Sequence, residues 1–256
     1  MTFEYLSVDE AITRPGLRMV VVKNVPSPWG EAAKGIFHIK QIEWAAVPLV
    51  YDNVALKQWA GQLSGPVAIY NDELPRSGWE EILTLAERLS STPPLLPVNE
   101  TERERVLMLS GKFCGQGGLG WFRRLQMIHA GMSKTGGFSE RVAGFLGGKY
   151  GYDPAQAPQN TARVAQLLGE FAALLKTQQE AGQHYYFGGT LTAVDIYSAT
   201  FMALFRPLPE TQGAMHAGTR AAFEWHDAQT EAALDPILFA HRDMMYARHL
   251  ELPLSL

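Results

Sequence analysis

The chain has 256 residues, long enough for two compact units, each with its own core. Hydrophobic residues make up 46% and charged residues 19%, which excludes a disordered polymer, and a formal charge of -4 with a pI near 6.0 excludes the clustered basic surface of a nucleic-acid binder. Cys114 is the only cysteine, so an intrachain disulfide, a CxxC redox pair and a thiolate zinc site are excluded as well.

Residues 1–15 form a polar N-terminal extension in which Glu4, Asp9 and Glu10 stand where a signal peptide needs an apolar core, and their role is left open. No apolar run approaches the roughly 20 residues that span a bilayer. The expectation is a cytoplasmic protein with neither nucleic-acid nor membrane partners. Leu17 to Val22 is a short β-branched run, read as a buried strand. A helix pattern follows, with Trp29, Ala32, Ala33, Ile36 and Ile39 on an apolar stripe and Lys34, His38 and Lys40 on the other face. Trp44 to Val50 reads as a second strand, with Pro48 at an edge or a strand end. The three elements make a βαβ unit.

Val54 to Ala60 is a short helix, and Pro66 opens a third apolar run, Val67 to Tyr70, ended by a turn at Asn71 and Asp72. Ser77 and Glu80 have capping-box spacing at the start of a helix whose stripe is Ile82, Leu85 and Leu89. The Pro-rich stretch around 92–99 cannot be helical and is the expected interdomain linker. Beyond it every pattern is helical, over Glu100 to Cys114, Trp121 to Met132, Asn160 to Glu180, Ala193 to Phe205, Thr219 to Thr230 and Pro236 to His249. Thr192 and Asp195 form a second capping signature, with Leu191 and Ile196 as a hydrophobic staple, ahead of a helix that is apolar nearly all round and therefore buried.

This succession, with a helix opened by Ser27-Pro28-Trp29-Gly30, a proline before the third strand and the Thr192 to Asp195 cap, resembles the cytosolic glutathione S-transferase superfamily over residues 16 to 250. The resemblance implies a thioredoxin-like, glutathione-binding domain at 16–91, an all-helical domain at 100–256, and a homodimer. It implies glutathione as co-substrate, bound at Gly65 and Pro66 through a cis X-Pro bond and at Arg76 and Ser77, with Ser27 as the catalytic residue facing the sulfur. Two positions depart from the pattern: Arg76 replaces an acidic residue, and Ser64 replaces a basic one. Trp29, Phe113 and Trp121 are candidates for the wall of a pocket that takes an apolar electrophile.

Each candidate also has a plain structural reading. Ser27 followed by Pro28 is a favoured helix start without any chemistry, and a hydroxyl can cap a helix and donate to a ligand at once. Ser77 can be a cap alone, and a tryptophan on an apolar stripe is ordinary core. Gly115, Gly117 and Gly120 spell GxGxxG, but no βαβ unit surrounds them, so a break between helices is expected in place of a phosphate cradle. The histidines show no ligand spacing, so no metal is expected, and His241 with Asp243 reads as a solvated helix face. A non-catalytic binding or scaffold protein of the same fold is the alternative function.

Overall fold

The structure, a computed structural model, describes residues 4–254. Its N-terminal part is a small sheet, in the order β2-β1-β3 among the described residues, flanked by helices. Strand β1 (Leu17–Val21) is buried at every position, its apolar side chains in the core and Arg18 with its guanidinium donating to the Ala11, Gly16 and Asn71 carbonyls. Strand β2 (Trp44–Pro48) pairs with it in parallel and β3 (Val67–Tyr70) antiparallel, so β2 is an edge strand and Pro48 closes it. Arg76 adds one antiparallel bridge to Ala68 beyond β3, with backbone bonds of 2.8 and 2.9 Å, a rudiment of a fourth strand.

The polar N-terminal stretch contains a helix, α1 (Val8–Thr13), whose Ser7–Glu10 capping box satisfies its first turn. Val8 and Ala11 bury its inner side, and the Ala11 carbonyl accepts from Arg18 Nε of β1 at 3.1 Å. Helix α2 (Pro28–Ile39) lies against the sheet, and of the row Lys34, His38 and Lys40 only His38 is exposed. Lys34 is 2% exposed and pairs with Glu31 at 2.6 Å, and Lys40 is 1% exposed, meeting Glu87 at 2.8 Å and the Pro93 carbonyl at 2.9 Å. Packing covers both lysines: Lys34 keeps a partner within its own helix, three residues away, while Lys40 takes Glu87 and the Pro93 carbonyl from outside it.

Helix α3 (Val54–Ala60) ends on Gly61, and α4 (Trp79–Leu89) begins one residue later than the Ser77–Glu80 spacing suggested. Gly78 is the N-cap, and Glu81 closes the turn by accepting from the Ser77 and Gly78 amides at 3.1 and 2.9 Å. The segment between α4 and α5 (Glu100–Cys114) is a packed strap rather than a loose tether: Leu95 and Leu96 are buried, Glu87 accepts from the Leu95 amide, and the Leu95 carbonyl accepts from the Ala193 amide.

The remainder is helical: α6 (Leu119–Met132), α7 (Glu140–Tyr150), α8 (Ala157–Glu180), α9 (Ala193–Phe201), α10 (Ala217–Glu224), α11 (Ala228–Ala233) and α12 (Pro236–Arg248). Every residue of α9 is buried, as its apolar sequence requires. Asp195 organises this centre. Its carboxylate, fully buried, accepts from the Thr192 amide and hydroxyl, from the Tyr186 amide and from His241 Nε2, at 2.9 to 3.0 Å. His241 is therefore not on a solvated face; at 5% exposure it ties α12 to α9. The stretch Thr219 to Thr230 is two helices, because Asp227 accepts from the Thr230 amide and starts a new one.

Candidate active site

Beyond the C-terminal end of β1, the loop into α2 faces α6 and α7 across a cavity of about 660 Å³, in the size range of small-molecule sites. Ser27, Trp29, Gly65, Pro66, Ser77 and Trp121 all line it. Two other candidates do not. Phe113 is fully buried, stacked on Phe171 with ring centroids 3.7 Å apart, because its side of α5 turns into the helical core. Arg76 is drawn the other way, to Glu73 at 2.6 Å, where Arg88 also holds the same carboxylate at 2.6 Å.

Ser27 sits at the N-cap of α2 in extended conformation, but its hydroxyl makes no cap bond. Its carbonyl accepts from the Glu31 amide at 2.8 Å, and Pro28 removes one amide that a cap would otherwise serve. The expected double role of cap and ligand group is thus not realised on the cap side. The hydroxyl stands half-buried on the cavity wall at the positive end of a helix dipole. Gly65–Pro66 is a cis bond, as the resemblance implied. An added Cβ at Gly65 would stand 3.3 Å from the Val20 carbonyl, so this wall lies tight against β1.

The glycine-rich turn at 115–120 is a break between α5 and α6, and it borders the same cavity. Gly117 takes a positive φ of 74° between α5 and α6, and a Cβ at Gly120 would collide with Phe201 and Trp29. Trp29 consequently packs edge-on to Phe201, with centroids 4.8 Å apart, and its indole donates to the Cys114 carbonyl at 2.8 Å. Cys114 itself is buried, its thiol donates to the Ser110 carbonyl at 3.0 Å, and burial pushes its pKa well up, which favours the neutral thiol.

Sequence reasoning missed α7 and two cations. Helix α7 contains Gly144, Gly147 and Gly148 and buries only Ala143, which erased its stripe; its readable marks were the Ser139 cap and Gly151 at its end. Lys149 of α7 lines the cavity and donates to Ser64 Oγ at 2.8 Å, beside the position where the resemblance lacked a basic residue. Arg124 of α6 also lines it, and the adjacent arginines inside an apolar helix were the signal that announced it. Burial, and then Arg124, hold the Lys149 ammonium below its ordinary pKa, and burial likewise lowers that of Arg124. Among the described residues, no aspartate or glutamate lines the cavity, and no group of three His, Cys, Asp or Glu could hold a metal ion. No helix of the described residues is long and apolar enough to cross a membrane.

No protein-family profile and no curated relative matches the chain. Solved structures do. A glutathione transferase family member from Pseudomonas fluorescens, with two glutathione bound, is similar with a TM-score of 0.63 at 13% identity, over 96% of this chain and 98% of that one. A glutathione S-transferase from Methylobacillus flagellatus with glutathione bound gives 0.62 at 14% identity, over 91% and 96%. One from Methylobacterium radiotolerans, in complex with glutathione sulfonate, gives 0.58 at 18% identity, over 94% and 97%. At such identities what is shared is the fold, a thioredoxin-like unit followed by a helical domain. The chain has the glutathione S-transferase fold.

Proposed function

We propose that the protein is a glutathione-dependent transferase in which Ser27 stabilises the glutathione thiolate. The observation that carries this reading is the Ser27 hydroxyl, on the cavity wall at the start of α2 and free of any cap bond. A thiol with a pKa near 8.5 must drop about two units to be mostly thiolate at neutral pH, roughly 2.7 kcal/mol. A hydrogen bond to a charged group contributes about 1.5–3 kcal/mol and a helix N-terminus about 0.3–1 kcal/mol, so one serine in this place suffices.

In the reaction the thiolate attacks an electrophilic carbon, a C–S bond forms, and the leaving group departs with the bonding electron pair. Gly65, Pro66 and Ser77 would position glutathione, Lys149 would meet a carboxylate of it, and Trp29 and Trp121 would flank the second substrate. Arg76 and Phe113 have no part, since neither lines the cavity. A cytoplasmic homodimer belongs to the same proposal, and sedimentation of the purified protein reads its mass.

A non-catalytic binding protein is the second reading, favoured by the lack of an acidic side chain for the glutathione ammonium among the described cavity residues. Calorimetric titration with reduced glutathione, together with turnover of a generic aryl chloride, separates the two. Binding with turnover that falls in Ser27→Ala supports the transferase. Binding without turnover supports the second reading, and no binding at millimolar glutathione removes the transferase and leaves a binding or scaffold protein of the same fold.

A further inference from the structure

Arg123 and Arg124 are neighbours on α6, both in the interior, and they are used in opposite ways. Arg123 is spent on the fold: its guanidinium donates to the Leu204 carbonyl at 3.0 Å, to Gln126 Oε1 at 2.6 Å, to the Phe223 carbonyl at 3.1 Å and to the Trp225 carbonyl. Arg124, 8% exposed, has no carboxylate within ion-pair distance among the described residues, and its Nε lacks any hydrogen-bond partner. Three rings hold it instead, Trp29, Phe138 and Phe223, at 5.8, 5.5 and 5.1 Å from the guanidinium carbon, with the Tyr150 hydroxyl as its polar neighbour. Aromatic faces fix a guanidinium in place without consuming its donors.

This fixed cation lies on the cavity wall, with Lys149 as a second cation and no acidic side chain opposite among the described residues. A buried guanidinium with an idle N–H is costly unless something accepts from it, and a planar fork is matched best by a carboxylate. The surrounding rings supply the apolar part of the site.

We propose that the subsite between α6 and α7 takes a carboxylate-bearing aromatic or unsaturated molecule, its carboxylate on Arg124 and its apolar body against Trp29 and Phe138. The second substrate is then an organic acid, where the resemblance implied only an apolar electrophile. Calling that molecule the electrophile rests on the transferase reading; the anion preference does not.

The test is binding, so that it stands apart from catalysis. 3,5-Dinitrobenzoate and its methyl ester are titrated against the full chain at physiological salt, with and without reduced glutathione, following quenching of the tryptophans. The acid should bind about 10- to 100-fold more tightly than the ester, the worth of one charge-assisted hydrogen bond, and Arg124→Gln should abolish the preference while glutathione binds as before. The acid-to-ester comparison in the unaltered protein keeps the test decisive even if Arg124→Gln fails to fold. Equal binding of acid and ester overturns the proposal. So does mutual exclusion of the acid and glutathione, or loss of glutathione affinity in Arg124→Gln, either of which would assign Arg124 to glutathione itself. Absence of glutathione binding alongside a retained acid preference removes the transferase reading and leaves this one standing.

Discussion

The Trp29 indole N–H donates to the Cys114 carbonyl at 2.8 Å, joining the first turn of α2 to the last turn of α5. This bond fixes the helix start that carries Ser27 against the helical domain, and the Phe201 ring edge completes the seat. Trp29→Phe keeps the ring contact and loses the donor, leaving a part-buried carbonyl unanswered. The expected cost is about 1–3 kcal/mol, from the hydrogen bond and the lost volume together, read as a lower denaturant midpoint. An unchanged midpoint would show that the bond contributes nothing to the join.

Ser27→Ala separates chemistry from capping. An N-cap serine normally contributes about 0.5–2 kcal/mol through its side chain, but Ser27 makes no such bond, so stability should stay within about 0.5 kcal/mol of the parent. On the transferase reading the same variant loses a hydrogen bond to a charge, so turnover should fall about 10- to 100-fold. The pKa of bound glutathione should rise, moving the pH–rate profile to higher pH. Thiolate absorbance against pH checks the shift; a stability loss of cap size with unchanged turnover would reverse the assignment.

Arg76→Ala should leave the site untouched. Its guanidinium is engaged with Glu73, and Arg88, the larger influence, continues to hold that carboxyl below the usual carboxylate range. The bridge to Ala68 is made by the Arg76 backbone and survives the substitution. An ion pair this open to solvent adds little to stability, and glutathione affinity should change by less than about twofold. Calorimetry on the variant measures both quantities.

What could be read in advance depended on whether the signal was local. The strands, α2, α8 and α9 announce themselves by apolar spacing, and the Thr192–Asp195 signature works from residues three apart, so one sequence suffices for each. Position within the fold is another matter. Lys40 and His241 look like surface residues because their partners, Glu87 and Asp195, are recognisable only once the layers have packed, and Lys34, whose partner Glu31 is three residues away, looks exposed because its burial comes from tertiary packing. The placement of Phe113 failed for the same reason: a helix inside a helical domain offers an apolar residue several directions, and Phe171 decided among them. Helix α7, which forms one side of the cavity, carries glycines where a stripe would be, so its existence and that of Lys149 at the site came from tertiary structure.

Asp195→Ala should be the most damaging single change in the helical domain. The carboxylate answers four donors in a place without solvent, from Thr192, Tyr186 and His241. Removing it leaves all of them buried and unsatisfied, a loss of about 3–5 kcal/mol, which is a large part of the stability of a typical domain. The expected outcome is a chain that is largely insoluble or melts far below the parent. A melting temperature near that of the parent would mean that water replaces the carboxylate.

The pH dependence of stability has an identifiable contributor in His226. Burial, and then the neighbouring Arg123, hold its pKa below the ordinary 6.5. Its ring is stacked on Phe205 and Nε2 bonds to the Phe205 carbonyl at 2.8 Å. Because the folded state resists protonation, the unfolded chain takes up this proton first as the pH falls through 6.5. The stabilisation is therefore complete above 6.5 and is lost progressively between 6.5 and the lower folded value, with a slope of at most about 1.4 kcal/mol per pH unit from this group. His226→Phe keeps the stack and removes the titration, so its stability should fall less steeply than that of the parent between about pH 7 and pH 5. Denaturant titrations at a series of pH values give the two slopes directly, and parallel curves would mean that His226 is protonated equally easily in the folded and unfolded chains.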